Sequence, residues 1–428
     1  MSLEYINKRF TKDPAFGKLV EILTQPQARI HLKGLTGSAL SFQVSESFKA
    51  CEKPFLLVLN DKEEAAYYLN DLEQLLDTET VLFYPGSYRR PYDIEATDNA
   101  NILLRAEVLS RINSRRKPAL IVTYPDAIFE KVVTRKELEK NTLKITTGDK
   151  LSLDFLNETL FEYHFKRTDF VSEPGEFSVR GGILDVFSFS HDEPYRLEFF
   201  GDEIESIRSF DVESQLSTER VRKISVMPNV TDKLVHESRV SFLEYIARDT
   251  VVVLKNPALC RGRLDQLFEK ATSAFKNLSE TVKHASPEAL FLTGEEFQQT
   301  LGKFREVSLE APPPPAGETL DVIEIPTRPQ PAFNKQFDLL LKALRENQQA
   351  GMRNFIFCAS EQQAKRFHDI FDEIGQDVPY TTLVQPLYQG FESDTLGLCC
   401  YTDHQIFERY HRFHLRNGYA KKQSITLK

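Results

Sequence analysis

Two stretches of the chain carry residue types whose spacing could do chemistry. The first is His31-Leu-Lys-Gly34-Leu-Thr-Gly37-Ser38-Ala39-Leu40-Ser41, which aligns with the phosphate-binding pattern G-x-x-x-x-G-K-[ST]. Gly34 takes the place of the first glycine and Ala39 that of the last. Leu40 stands where the lysine belongs, and Ser41 where a hydroxyl would hold magnesium. That chemistry needs backbone N–H groups around the phosphates and a lysine on the β and γ oxygens. Leu40 carries no charge, and the Cβ of Ala39 narrows the approach that glycine permits. The stretch reads either as an ordinary strand-to-helix turn or as a nucleotide loop that has decayed. ATP hydrolysis is not expected of it, and no cofactor is expected.

The second is the pair Arg167 and Arg180. Arg180 stands at the edge of Gly181-Gly182, with little side chain beside it to cover it. A guanidinium is the preferred cation for planar, bidentate pairing with a carboxylate across an interface. The alternative is that both arginines are solvated or pair locally with Glu173 or Glu176, since charge on an alternating strand usually marks a wet face. Other candidates are thin. Cys51, Cys260, Cys358, Cys399 and Cys400 show no metal-ligand spacing. His404 and His411 sit beside Arg409 and Arg412 with no carboxylate or thiol set around them. The turn-rich segment 84–93, with Arg89 and Arg90, is either a packed surface loop or a DNA contact made by stacking and phosphate pairing.

Positioning the arginines falls to a sheet. Residues 177–189 are rich in Val, Ile and Phe and are broken by Gly181-Gly182, which predicts a bulge or a close backbone approach. Residues 195–200 alternate, with Tyr195, Leu197 and Phe199 on one face and Arg196 and Glu198 on the other. Gly201-Asp202 is a two-residue hairpin turn, and the chain returns through Ile204 and Ile207 to Phe210. Around this sheet, strands and helices alternate. Residues 55–59, 81–84, 119–124 and 250–254 read as buried strands, and Asp61 caps a helix with Glu64 completing the box. Helices are predicted over 97–113, 235–246 and 264–275, and a short strand over 289–292. This is the pattern of a parallel sheet with helical cover. Ala311-Pro-Pro-Pro-Pro-Ala-Gly317 reads as a stiff linker. Beyond it, helices and strands alternate again in a small α/β domain.

The chain has 428 residues, enough for roughly three domains of about 150 each. With no run of eighteen apolar residues it holds no membrane-span candidate, and MSLEYINKRF lacks a signal-peptide core. The cysteine usage fits a reducing cytoplasm. A net charge of −9 argues against the whole chain as an autonomous nucleic-acid binder. It suits a partner surface that is basic or mixed.

The run R-x-D-F, then P-G-E-F-x-V-R-G-G-I-L-D-V-F, then Y-R-L-E-F-F-G-D-E-I-E-S-I-R-x-F-D, from Arg167 to Asp211, resembles the second domain of the bacterial transcription-repair coupling factor (Mfd) family. It is similar, less closely, to the matching domain of the excision-repair protein UvrB. The resemblance implies that this domain binds the damage-recognition protein UvrA, with Arg167 and Arg180 at the family's arginine positions and Asp169 and Phe187 beside them. Phe187 adds burial to the contact if exposed and is core if its strand turns it inward. UvrB proteins often carry a further Arg where this chain has Ser178, which implies a thinner contact. The stretch GLTGSALS, with Gly34, Gly37, Ser38, Ala39, Leu40 and Ser41, then belongs to a UvrB-like module that has lost its nucleotide site. UvrB's long damage-probing hairpin does not fit within 84–93.

The expected organisation is α/β and multidomain. A degenerate helicase-like parallel-sheet domain occupies 1–130 and 216–310, with an inserted α+β domain at 131–215. A Pro-rich linker at 311–325, a small α/β domain at 326–415 and a tail at 416–428 follow. In the family a polymerase-binding domain and two ATP-dependent DNA translocase lobes come next. Neither G-K-[ST] nor D-E-x-[HQ] occurs here. The expected role is therefore non-catalytic: recruiting UvrA to stalled RNA polymerase, with RNA polymerase and duplex DNA contacted through regions absent from this chain. In the family a C-terminal region masks the UvrA surface of the intact protein. The rival readings are a UvrB-like ATPase and a DNA-binding repair module.

Overall fold

The computed structural model describes residues 2–87, 92, 99–114, 117–189, 191, 193–227, 238–277, 285–310, 320–374 and 379–409. The largest unit is a seven-stranded sheet in the order Asp321–Glu324, Arg29–Lys33, Arg305–Ser308, Val251–Leu254, Phe55–Val58, Leu120–Thr123, Val81–Phe83. Every pairing in it is parallel. Three adjacent strands, Val251–Leu254, Phe55–Val58 and Leu120–Thr123, are buried along their whole length. Their unbroken apolar runs are what a sheet covered on both faces requires. Asp61 caps the helix Lys62–Leu75 by accepting the Glu64 N–H at 2.9 Å. Glu64 turns back one residue further than a capping box would, to the Asn60 N–H at 2.9 Å.

One edge strand comes from the expected linker. Asp321–Glu324 pairs with Arg29–Lys33, Asp321 facing Ile30 and Glu324 facing Lys33. Two acids flanking two β-branched residues are typical of a solvated edge strand, and such a composition is hard to tell from linker. The proline run itself, 311–319, lies outside the described residues, as do Arg89, Arg90, His411, Arg412 and the tail 416–428.

Strand pairings of the insertion expected at 131–215 run on past residue 215. Val132–Val133 pairs with Arg239–Val240, and Leu143–Thr146 pairs with Lys223–Val226; the two ribbons form a stem. Between them lies a six-stranded sheet in the order Ser217–Val221, Glu203–Phe210, Tyr195–Phe200, Ile183–Val186, Glu176–Arg180, Lys166–Arg167. Of the bulge or close backbone approach expected at Gly181-Gly182, the close approach is present, a Cβ on Gly182 lying 3.2 Å from the Phe199 carbonyl oxygen, and in place of a bulge the pair makes a hairpin turn. Arg180 faces Ile183, and Gly181 has φ +59°, the left-handed region open to glycine. The bulge falls between Glu198 and Phe199. The helix Leu153–Glu162 places Leu156 and Leu160 in one core with Phe177, Leu184 and Leu197.

Two further expectations differ. The helix expected over 235–246 is a single turn, Phe242–Tyr245, closed by a capping box between Ser241 and Glu244; residues 228–237 lie outside the described residues. The strand expected over 289–292 is a helical turn, Pro287–Leu290, because Pro287 presets its first residue. Only an isolated bridge joins Phe291 to Glu130.

The small domain has a five-stranded sheet in the order Arg328–Pro329, Phe391–Ser393, Leu398–Thr402, Arg353–Phe357, Thr381–Leu383. The helices Phe337–Gln349 and Glu361–Ile374 accompany it. A separate apolar cluster joins it to the large domain through Ile6, Phe10, Ala39, Phe42, Phe357 and Phe391. Among the described residues no helix is long and apolar enough to cross a membrane.

Candidate protein-binding surface

Lys166–Arg167 is the edge strand of the inserted sheet, and it pairs on its inner side only, with Glu176 and Phe177. The Arg167 side chain is exposed, and it makes no hydrogen bond or ion pair among the described residues. Arg180 ends the next strand, at the hairpin tip. Its guanidinium is ion-paired with Asp185 across the hairpin, not with Glu173 or Glu176. The register decides this: with Arg180 opposite Ile183, Asp185 sits one diagonal step away on the same face. Glu176 is committed elsewhere, accepting from the Ser172 and Glu173 N–H groups.

Asp185 is fully buried and holds two arginines. Arg196, directly opposite on the following strand, donates Nε to Oδ1 at 2.8 Å and Nη2 to Oδ2 at 2.9 Å. One carboxylate therefore fixes two guanidinium groups, and this part of the sheet keeps a net positive charge.

Asp169 is exposed, and its carbonyl accepts from the Ser178 Oγ at 3.0 Å. Ser178 is itself buried, so the small residue at this position pins the loop that leaves the edge strand. That loop carries Phe170, 62% exposed, whose ring lies 5.1 Å from the Arg180 Cζ. Arg167, Thr168, Asp169 and Phe170 on one side and Ser178, Val179 and Arg180 on the other line a cleft of about 460 Å³.

The structure thus brings Arg167, Asp169 and Arg180 together and leaves Phe187 out. Phe187 is fully buried against Val171 and Phe210, so its part is packing within its own domain. Phe170 is the residue that sequence reading passed over. It follows a two-residue strand, too short for alternation to show which way its side chain points. Among the described residues, five of the nine large exposed hydrophobics, Phe155, Phe161, Phe170, Phe200 and Leu216, lie in the insertion, which marks it as the unit offering apolar surface.

The glycine loop has strand–turn–helix geometry, from Arg29–Lys33 to the helix Ala39–Cys51. Leu40 is buried in the core of the large sheet. The Ser38 N–H, just ahead of the helix, donates to the Gln389 carbonyl at 2.9 Å. The Ser41 Oγ donates to Asp71 Oδ2 at 3.0 Å. Burial pushes the Asp71 carboxyl up to about 7, against the hydrogen bonds from Ser38, the Tyr388 N–H and Ser41 that hold it down.

Residues 143–231 match the family model of the UvrB interaction domain. The chain is 33% identical over 198 residues to the transcription-repair-coupling factor of Bacillus subtilis, covering 46% of this chain and 17% of that protein. It is 31% identical over 262 residues to that of Myxococcus xanthus, covering 59% and 22%. With the Escherichia coli K12 protein it shares 30% identity over 226 residues, covering 52% and 19%. The matches span less than a quarter of the length of these curated relatives. Residues 143–231 are therefore similar to a UvrB interaction domain, and about half of the chain is similar to bacterial transcription-repair coupling factors.

Proposed function

We propose that this chain is a non-catalytic module that brings UvrA to stalled RNA polymerase, with the insertion making the contact. The observation that carries this reading is the cleft in which Arg167, Asp169 and Arg180 meet beside an exposed Phe170. Arg167 offers an uncommitted guanidinium for a bidentate carboxylate partner. Arg180 is tethered by Asp185 yet keeps 40% of its side chain exposed, so it meets a partner already oriented. An arginine stacked on an aromatic ring is a combination rich in interface hot spots.

The large domain then acts as a scaffold. Leu40 in the core, and a Ser38 N–H already engaged by Gln389, support a loop that takes no nucleotide. ATP-driven translocation on duplex DNA, contact with RNA polymerase and a cytoplasmic location are assigned, in the same proposal, to the longer protein of which this chain matches a part.

Capture of UvrA by the wild-type chain and by Arg167→Ala/Arg180→Ala tests the reading. Charge-assisted contacts contribute about 1.5–3 kcal/mol when well shielded and less when exposed. A loss of roughly tenfold or more in affinity is expected for the pair. Full binding by the double variant refutes the site, and no binding by the wild type refutes the partner.

A further inference from the structure

The loop 34–41 turns from strand to helix through two left-handed glycines and has Leu40 where a phosphate loop has lysine, so its shape needs a cause other than phosphate. Gly34 and Gly37 have φ +92° and +52°. A Cβ on Gly34 would lie 2.7 Å from the Ile325 carbonyl oxygen, and one on Gly37 would lie 3.0 Å from the Cβ and carbonyl oxygen of Gln389. The turn is shaped to receive two later segments of the same chain.

On one side the Thr327 N–H donates to the Gly34 carbonyl at 2.8 Å, and the Thr327 Oγ1 accepts the Thr36 N–H at 2.8 Å. On the other side sits the segment 386–390 of the small domain. Its Gln389 carbonyl takes the Ser38 N–H at 2.9 Å, and its Gln389 N–H returns a bond to the Ser38 Oγ at 3.1 Å. The Tyr388 N–H donates to Asp71 Oδ1 at 2.7 Å, and the Asn70 side chain donates to the Pro386 carbonyl at 3.1 Å. The Tyr388 ring stacks on Tyr67 at 4.1 Å.

We propose that the former nucleotide loop is a peptide-binding site whose ligand is the chain's own segment 386–390, and that this occupancy couples the small domain to the large sheet. A peptide carbonyl brings the partial negative charge that amides at a helix start attract. It is neutral overall, so Leu40 serves where a phosphate would have required lysine. The Ser41 hydroxyl supports Asp71, which in turn holds Tyr388. Apolar packing extends the contact: Phe10 stacks on Phe42 at 5.5 Å, and Phe391 meets their rings edge-on at 6.1 and 6.0 Å.

Amide exchange on the full chain tests this reciprocally. Tyr388→Ala, made in the small domain, should speed exchange across 36–41 in the large domain. Tyr67→Ala, made in the large domain, should speed exchange across 387–390. Each effect should be about tenfold, since an aromatic stack adds of order 1 kcal/mol to its burial. The strands Phe55–Val58 and Val251–Leu254 should stay protected in both variants. If either variant prevents folding, Asn70→Ala gives a milder cut to the same contact and should speed both segments together. Unchanged exchange in the opposite segment, in any folded variant, overturns the proposal.

Discussion

Replacing Arg196 by alanine should destabilise the inserted sheet by about 3 kcal/mol, whereas Arg180→Ala should cost only about 1 kcal/mol. The difference follows from one carboxylate. The Asp185 side chain has no solvent exposure, and three hydrogen bonds from arginines reach it. Two of these come from Arg196, whose side chain is 16% exposed, and one from Arg180, at 40%. Removing one partner of a buried ion pair costs roughly 3–5 kcal/mol because the other charge stays buried and under-paired. Arg180 remains to hold Asp185 when Arg196 is lost, which places the value at the low end. The Arg180 pairing is screened by water, and Arg196 satisfies Asp185 without it. The double variant Asp185→Ala/Arg196→Ala leaves no buried charge unpaired, since the half-exposed Arg180 that loses its carboxylate can turn to water, and it should recover most of the loss, giving a coupling of about 2 kcal/mol. The chain has no tryptophan to report unfolding of a single domain. The assay is therefore amide exchange across Ile183–Val186 and Tyr195–Phe200, read as local opening free energies. An Arg196→Ala cost below about 1 kcal/mol, or a cycle that closes with no coupling, would refute the reasoning. The outcome also bears on the UvrA test, because a small folding cost for Arg180→Ala lets its binding loss be read as a lost contact.

Phe170→Ala should weaken UvrA capture by about tenfold, as truncating an interface anchor does, without lowering the stability of the sheet, since the ring is mostly exposed; wild-type affinity in this variant would remove Phe170 from the contact. Asp71 gives a pH dependence with a defined sign. Its folded pKa of about 7 lies above the ordinary value of 3.8, so the folded state binds the extra proton between about pH 4 and 7, and this group's contribution to stability declines as pH rises through that window. Asp71→Asn removes that slope, so its stability relative to wild type should rise between pH 4.5 and 8, measured by denaturant unfolding; a constant difference across that range would refute the assignment.

Four strands of the large sheet, Val251–Leu254, Phe55–Val58, Leu120–Thr123 and Val81–Phe83, were readable because each is a short, buried and almost wholly apolar run, as parallel sheets with two covered faces require, whereas Arg305–Ser308 was hidden by its Arg and Glu. The edge strand Asp321–Glu324 was not readable, since an edge needs no apolar pattern and its partner lies almost 300 residues earlier in the chain. Gly181-Gly182 reads as a bulge or a close backbone approach; finding the turn requires knowing that Val179 and Leu184 are paired. The same missing register hid Asp185 as the partner of Arg180. Phe187 and Phe170 show the limit for the site. Both are aromatics near an arginine, and only the fold decides that one closes a small core while the other lies open beside Arg180.

The insertion is not a bead on a string, and this bears on what its contact can do. Its core residues Ile145, Leu156, Phe177, Leu197 and Ile224 belong to the same continuous apolar cluster as Leu56, Val122 and Val252 of the large sheet. Two ribbons, Val132–Val133 with Arg239–Val240 and Leu143–Thr146 with Lys223–Val226, carry the chain in and out. A partner seated on Arg167 and Arg180 is therefore held in a set orientation to the large sheet, because packed cores transmit displacement where flexible linkers absorb it. The segment 386–390 does the same for the small domain from the opposite end of the sheet order, where Arg29–Lys33 leads into the glycine loop. The chain thus fixes both of its smaller units on one parallel sheet. A module whose task is to present one surface gains from that rigidity, since a cation already oriented by Asp185 on a scaffold already packed has less freedom to lose when the partner arrives.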